Sequence, residues 1–383
     1  MLKDWKSTRI GDICMTNTKT YSVSEQWSFI NYLDTGNITK NRIEEIQHLV
    51  MGKDTVPSRA RRMVSIDDIL YSTVRPIQRH YGIIKEVLPN MLVSTGFAVI
   101  TPDKTKIDPD FLYYYLTQDD IVDGLHAIGE QSVSAYPSVK PSDIEGLELL
   151  LPPLHKQVEI GLTLRALDDK IENNRKINHQ LEQMAQAIFK SWFVDFEPFG
   201  GVMPDDWREG ILSDVASVTS GKRPPYRQAE FSTEAETPIL GASSLMGYTN
   251  TVLYDERILV TGRVGTHGVI QRYSRPCWPS DNTLVIKSTF YEFTYQQLCR
   301  VDFHNMNRGS TQPLITQSDL KNVFILLPNE GNLREFEELV GSFMERYESN
   351  ILESERLIEV REALLPRLMS GELSVAQLGD TKC

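Results

Sequence analysis

Residues 171–193, IENNRKINHQLEQMAQAIFKSWF, contain neither proline nor glycine and are rich in residues that favour a helix. From residue 160 to residue 192, apolar positions alternate in steps of four and three, a spacing typical of coiled coils. Asn174 and Asn178 interrupt this stripe, where a polar residue can fix register and partner at some cost in stability. The pattern predicts a helix from about His155 to Phe193, about 58 Å long, that pairs with another helix. A helix that only covers its own domain rarely needs so many heptad positions.

The same spacing returns 176 residues later, so that Asn174 aligns with Asn350 and Leu181 with Leu357. Trp192, Phe193 and Phe196 form an aromatic cluster at the end of the first helix, which is compatible with core packing or with a hydrophobic seat for a partner. The positions expected in the helix pairing or in partner contacts are Leu167, Ile171, Asn174, Leu181, Ile188, Trp192, Phe193, Tyr347, Asn350, Leu357, Leu364 and Leu368.

The segments that precede the two helices are repeated as well. The opening WKSTRIGDIC at 5–14 resembles WREGILSDVA at 207–216, and SDIEGLELLLPP at 142–153 resembles SDLKNVFILLPN at 318–329. Between them, ILYSTVRP at 69–76 matches ILVTGRVG at 258–265, and the offset between the copies shrinks along the chain, as expected when surface loops differ in length.

Within these segments, short β-rich runs alternate with turn signals. We therefore predict an α+β protein with two similar mixed α/β domains, separated by two long helices that form an antiparallel coiled coil with pseudo-twofold symmetry. The predicted regions are a first domain at 1–150, a first spacer helix region at 151–200, a second domain at 201–330, and a second spacer helix region with the C-terminal tail at 331–383.

The composition is that of a soluble globular protein, with 40% hydrophobic and 24% charged residues. No apolar run is long enough to span a membrane, and the first residues lack the apolar stretch of a signal peptide. The four cysteines lie far apart without a metal-binding spacing, so a zinc site or a disulfide framework is not expected. These features predict a cytoplasmic protein without membrane contact.

A net charge of −12 argues against a nucleic-acid partner unless basic residues are gathered locally. Basic residues are gathered locally at Arg75 with Arg79, and at Lys222 with Arg223 and Arg227. The loop GEQSVSAYP at 129–137 corresponds to NRGSTQPL at 307–314, and each contains a glutamine that could pair with adenine. For any single arginine, a solvated or salt-bridged role is about as compatible with the sequence. The candidate DNA contacts are Arg75, Arg79, Gln131, Ser132, Lys222, Arg223, Arg227, Arg263, Arg308, Ser310, Thr311 and Gln312.

The motifs that approach catalytic or ligand-binding signatures each lack a required residue or spacing. RPPY at 223–226 approaches an amino-methyltransferase motif, but its first residue, Arg223, cannot accept a hydrogen bond from a target amine. TGRVGTHG at 261–268 lacks the spacing of a phosphate-binding loop, and the histidines show no paired metal spacing. We predict no catalytic residue, no metal site and no cofactor in this chain.

Several motifs resemble the specificity subunits of type I restriction–modification systems. They are the duplicated W-x-x-x-x-[IL]-x-D opening and the runs LPPLHKQVEI, LRALDDKIENN, AIFKSWFVDFEP and LLPRLMSGEL. The resemblance extends over nearly the whole chain. One departure is LPNEGN at 327–332, where the second copy lacks the double proline.

The resemblance implies a non-catalytic subunit with two target-recognition domains, each recognising one half of a split double-stranded DNA target, with the gap set by the helices. It also implies two methyltransferase subunits as partners, which bind S-adenosylmethionine and modify adenine N6, and restriction/translocase subunits that use ATP and Mg. Two alternatives remain at this stage. One is a coiled-coil scaffold that never contacts DNA, and the other is a stand-alone methyltransferase or nuclease, against which the missing cofactor motif argues.

Overall fold

A computed structural model of the protein describes residues 4–131, 136–264, 268–303, 305–306 and 314–379. The chain divides into unit 1, formed by Met1–Asn173 with Glu353–Cys383, and unit 2, formed by Asn174–Leu352. No helix among the described residues combines the length and the apolar composition that crossing a bilayer requires.

Unit 1 contains two four-stranded sheets, in the orders β6-β3-β10-β7 and β2-β11-β8-β9, and the pairs β1-β12 and β4-β5. The strands are β1 (Lys6–Arg9), β2 (Cys14–Thr16), β3 (Phe29–Leu33), β4 (Ile38–Thr39), β5 (Arg42–Ile43), β6 (Gln47–Val50), β7 (Ala60–Met63), β8 (Ile69–Ser72), β9 (Tyr81–Ile83), β10 (Met91–Ser94), β11 (Phe97–Pro102) and β12 (Glu148–Leu151). The helices are α1 (Pro109–Leu116), α2 (Asp119–Glu130), α3 (Pro141–Glu145), the start of α4 (Leu154–Phe193) and the end of α7 (Glu330–Met369). Phe111 and Leu112 of α1 pack in one buried core with Ile69 and Ile100 of the second sheet.

Unit 2 repeats this plan with the sheets β14-β20-β17-β18 and β16-β15-β19 and the pair β13-β21. Its strands are β13 (Arg208–Ile211), β14 (Ala216–Ser220), β15 (Thr237–Leu240), β16 (Leu245–Thr249), β17 (Ile258–Gly262), β18 (Gln271–Tyr273), β19 (Trp278–Pro279), β20 (Thr283–Ser288) and β21 (Phe324–Leu327). Its helices are the second part of α4, α5 (Tyr291–Cys299), α6 (Gln317–Lys321) and the first part of α7. The last helix, α8 (Val375–Gly379), belongs to unit 1. The mixed α/β repeat predicted from the sequence is confirmed.

One detail of the sequence alignment is wrong. The similarity of ILYSTVRP to ILVTGRVG matches Ile69 with Ile258, but the strand pairing differs from this match by one residue. Ser72 lies opposite Phe97, the first residue of β11, whereas Gly262 lies opposite Thr283, the first residue of the corresponding strand β20. Both strands are buried along their whole length, so every position is apolar or small and sequence similarity cannot fix the register.

The long helices α4 and α7 run antiparallel in each unit. In unit 2, Ala185 and Phe189 belong to one buried core with Phe336 and Val340. In unit 1, Ile160 and Leu164 share a core with Leu368 and Met369. Phe193 is only 5% exposed and its ring lies 5.0 Å from that of Phe336, so it belongs to the core of unit 2. The predicted antiparallel pair of long helices is confirmed.

Of the other predicted pairing positions, Asn174 and Asn350 are buried. The half-buried ones are Leu167, Ile171, Leu181, Ile188, Trp192, Tyr347, Leu357 and Leu364. The asparagines connect the helices by hydrogen bonds inside unit 2. Asn174 Nδ2 donates to the Asn350 carbonyl oxygen at 3.4 Å, Asn350 Nδ2 to Asn178 Oδ1 at 2.8 Å, and Asn178 Nδ2 to the Tyr347 carbonyl oxygen at 3.1 Å. Such a network favours one register of the pair, because a shifted register would bury these amides against apolar neighbours.

We expect Asn178→Leu to lower the free energy of unfolding by about 1–3 kcal/mol, because it leaves buried polar groups of Asn350 and Tyr347 without their partner. Replacing Asn174, Asn178 and Asn350 together by leucine should recover most of this loss, since no amide then remains buried alone. Urea unfolding measures both effects, and Gln180→Leu on the exposed face of α4 is the control. A triple variant less stable than the single one would contradict the network.

Glu337 of α7 holds the start of α5 in unit 2. Its Oε1 accepts the backbone N–H of Phe293 at 2.8 Å and its Oε2 that of Glu292 at 3.1 Å. Burial raises the pKa of Glu337 to about 7, against the lowering effect of these two N–H donors. The neighbouring Glu292 carboxylate raises the pKa further and the Arg257 guanidinium lowers it.

Because the folded-state pKa of Glu337 is raised from 4.5 to about 7, the protonated acid stabilises the fold below pH 4.5, and this contribution is lost as the pH rises to about 7. We therefore expect the melting temperature of the wild type, relative to that of Glu337→Gln, to fall between pH 5 and pH 8. Glu338→Gln, at an exposed neighbour on the same helix, is the control for the loss of a carboxylate. A relative rise of the wild type would mean that the two N–H donors outweigh burial.

Candidate nucleic-acid interface

In unit 1, the ends of five strands meet at one edge. Leu33 of β3 pairs with Val93 of β10, and Ser94 pairs with Ala60 of β7. In the second sheet, Ser72 at the end of β8 pairs with Phe97 at the start of β11. The loops that follow or precede these residues are 34–37, 57–59, 73–75 and 94–96. With residues 136–138 we call them the first edge.

Backbone hydrogen bonds join these loops to one another. The N–H of Thr73 donates to the Gly96 carbonyl at 2.8 Å, and that of Thr95 donates to the Arg59 carbonyl at 2.9 Å. A Cβ on Gly96 would lie 2.8 Å from Thr35 Cγ2, so loop 94–96 packs tightly against loop 34–37. The N–H of Arg75 donates to the Pro137 carbonyl at 2.8 Å. The first edge is thus a single connected surface.

An acceptor is fixed at this edge. Tyr32 Oη donates to Asp34 Oδ1 at 2.9 Å. Burial would raise the pKa of Asp34, but hydrogen bonds from Tyr32, the Thr35 backbone and Ser94, together with the nearby Arg59, hold it below the ordinary value. Asp34 is therefore a charged acceptor at neutral pH, of the kind that can pair with the amino group of cytosine.

The structure separates the two arginines that the sequence placed together. Arg79 Nη1 donates to Asp119 Oδ1 at 2.6 Å, and only 24% of the Arg79 side chain is exposed. Arg75 has no ion pair within the described part of the chain, and its guanidinium lies over the ring of Tyr136, 4.5 Å from the centroid. Arg75 is therefore available to a ligand, whereas Arg79 connects its loop to the start of α2.

Unit 2 has an edge of the same construction, formed by loops 220–222, 240–244, 262–264 and 279–283 with residues 314–315, which we call the second edge. The N–H groups of Gly221 and Lys222 donate to the carbonyls of Thr283 and Pro279, both at 3.0 Å. That of Arg263 donates to the Asn282 carbonyl at 2.8 Å. Lys222 and Arg263 are thus brought together around loop 279–283.

The remaining DNA-contact candidates lie outside the two edges or outside the described residues. Arg223 and Arg227 are exposed in the segment after Lys222, and Gln131 is exposed at the end of α2. The following candidates lie outside the described residues: Ser132, Arg308, Ser310, Thr311 and Gln312.

Three side chains at the first edge did not appear among the sequence candidates: Asp34, Arg59 and Tyr136. Arg59 could have been found from its basic run RARR, and Asp34 from its turn DTGN. Tyr136 carried no signal, because its pairing with Arg75 depends on two segments far apart in sequence. Within the described residues, no group of His, Cys, Asp and Glu could hold a metal ion. That the chain carries no cofactor stays a prediction.

Comparisons with known proteins agree with a DNA-recognition role. The family model of the type I restriction modification DNA specificity domain matches residues 2–183 and 204–362. The type I restriction enzyme HindI specificity subunit of Haemophilus influenzae is 24% identical over 97% of this chain and 100% of that protein. The MjaIX specificity subunit of Methanocaldococcus jannaschii is 25% identical over 98% of this chain and 95% of that protein.

Among solved structures, the type I restriction-modification system S subunit from M. genitalium aligns with a TM-score of 0.61 and 15% identity. The alignment covers 95% of this chain and 96% of that one. At this identity, the match shows that the two chains share a fold.

We expect Lys222→Ala to weaken binding to duplex DNA of any sequence and to reduce the salt dependence of log Kd by about one, since one phosphate contact is lost. Fluorescence anisotropy between about 50 and 200 mM salt measures this slope. Lys287→Ala is the matched control, because Lys287 lies toward the other end of β20 and pairs with Glu256. Equal slopes for the two variants would remove Lys222 from the interface.

Proposed function

The chain belongs to the family of type I restriction–modification DNA specificity subunits, and from this premise we propose that each unit recognises one half of a split DNA target through its edge. The chain is the non-catalytic, sequence-recognising subunit of such a system. Methylation and cleavage are reactions of its partners.

The recurrence of one edge with different side chains carries this proposal. Thr73 and Arg263 occupy the same backbone position. Each follows a central strand and donates its N–H to the turn that precedes the paired strand, β11 or β20. Each carbonyl accepts an N–H from the segment that crosses the edge, that of Val139 or Ile315 respectively. The Thr73 side chain is a small neutral alcohol, whereas the Arg263 side chain is a cation. Two edges with the same backbone and different chemistry suit two half-targets of different sequence.

The proposed partners are double-stranded DNA, two methyltransferase subunits and restriction/translocase subunits. The proposed location is the cytoplasm. S-adenosylmethionine would be bound by the methyltransferase subunits, and ATP and Mg by the restriction subunit. Leu154, Val158 and Leu162 are exposed at successive turns of α4, and an apolar stripe of this kind suits a protein contact.

We further propose that α4 and α7 set the gap between the half-targets. Each helix has 40 residues, which corresponds to a length of about 60 Å. The equal helix lengths support this role, because a change of length in one helix would lose its match with the other. A scaffold without DNA contact is not favoured by the family to which the chain belongs.

The proposal is tested by producing the chain with its cognate methyltransferase subunit and mapping N6-methyladenine by single-molecule sequencing of the host genome. We expect one split motif with a fixed gap. Exchange of residues 1–150 for those of another specificity subunit should change one half only, and exchange of 207–330 the other. A continuous motif, or methylation indifferent to both exchanges, would refute the proposal and favour the scaffold.

A further inference from the structure

We propose that Arg75, held against the ring of Tyr136, recognises a guanine in the half-target bound by unit 1. This inference rests on the proposed function and adds the base and the residue pair that selects it.

The backbone of Arg75 is fixed in an unusual conformation. Its φ of 48° lies in the left-handed region, and the next residue is Pro76, before which an extended conformation is normal. The Arg75 N–H donates to the Pro137 carbonyl at 2.8 Å, and the Arg75 carbonyl accepts the N–H of Gln78 at 2.9 Å. The Val74–Ser138 bridge secures the crossing segment beside it. Strain that is retained by several contacts is typical of functional positions.

Among the residues that the structure describes, the Arg75 guanidinium stacks on a ring and makes no hydrogen bond or ion pair. Other arginines contact a carboxylate: Arg79, Arg165, Arg257, Arg272 and Arg361. Arg75 contacts the face of Tyr136, a residue that is 57% exposed. Stacking of this kind restricts the plane of the guanidinium but leaves its in-plane N–H donors for another group. The result is a double donor at the first edge whose plane is restricted by the Tyr136 ring.

Among bases, guanine matches such a donor pair. In the major groove, guanine presents two adjacent acceptors, O6 and N7. Adenine presents an acceptor beside a donor, cytosine a donor, and thymine one acceptor beside a methyl group, so each would leave part of the fork without a partner. A phosphate could also accept two hydrogen bonds, but such a contact carries no base preference, so a change of sequence preference distinguishes the two.

The test uses the complex of the full chain with its methyltransferase subunit and the methylation map described above. Arg75→Asn removes the guanidinium, and asparagine tolerates a positive φ. Arg75→Lys keeps the positive charge but loses the pair of in-plane N–H donors. We expect either variant to reduce the preference for guanine at one position roughly 10- to 100-fold, without effect on the other half-target or the gap. The affected position should lie in the half that exchange of residues 1–150 alters.

Tyr136→Leu should relax the same position, whereas Tyr136→Phe, which retains the ring, should not. Arg9→Ala is the matched control for loss of one positive charge, since Arg9 is exposed on β1 and pairs with Glu148. It should leave the motif unchanged. Tyr136→Leu also serves if the Arg75 variants fold poorly.

Three results would overturn the inference. An unchanged motif with methylation lowered equally at all sites would make Arg75 a phosphate contact. If the half-target recognised by unit 1 of the wild type contained no guanine, there would be no base for Arg75 to recognise. The absence of any split motif in the wild type would refute the proposed function together with this inference, so the two failures are distinguishable.

Discussion

The antiparallel pairing of α4 with α7 is the interaction on which both units depend, because each unit completes its core with one part of each helix. In unit 1 the core includes Leu164 and Leu368, and in unit 2 it includes Phe189 and Phe336. A shift of the helices would therefore disturb the cores as well as the pairing itself. The asparagine network of unit 2 adds a directional constraint that apolar packing alone lacks, because hydrogen bonds require particular neighbours.

Each domain is attached to the helices by a buried acid at the start of a short helix. Asp110 in α1 contacts Lys85 of its own domain at 2.8 Å and Arg165 of α4 at 3.3 Å. Glu292 in α5 is fully buried and contacts Arg272 and Arg257, and Arg257 in turn reaches Glu348 of α7. Buried charges of this kind contribute less to net stability than to a single arrangement, because any other arrangement leaves a charge unpaired.

Much of this architecture could be predicted from the sequence, since the heptad spacing and the duplicated motifs are properties of the chain itself. The candidate edges were only partly predictable. Arg75 and Arg79 look alike in STVRPIQRH, and only the tertiary structure gives Arg79 a carboxylate partner and Arg75 an aromatic one. Side-chain partners that are distant in sequence leave no local pattern, and a strand that is apolar on both faces does not reveal its register.

The separation of backbone from side-chain roles explains how such a fold can change its target. The loops of both edges are held mainly by backbone hydrogen bonds, which do not depend on side-chain identity. Thr73 and Arg263 share one pair of backbone bonds although one side chain is an alcohol and the other a guanidinium, and the Thr73 hydroxyl adds a hydrogen bond to the Gly96 carbonyl at 2.9 Å. Substitutions at these positions can therefore alter which base is contacted while the strands, cores and helix pairing remain as they are. Arg79 and Asp110 are different, because their side chains are part of the support.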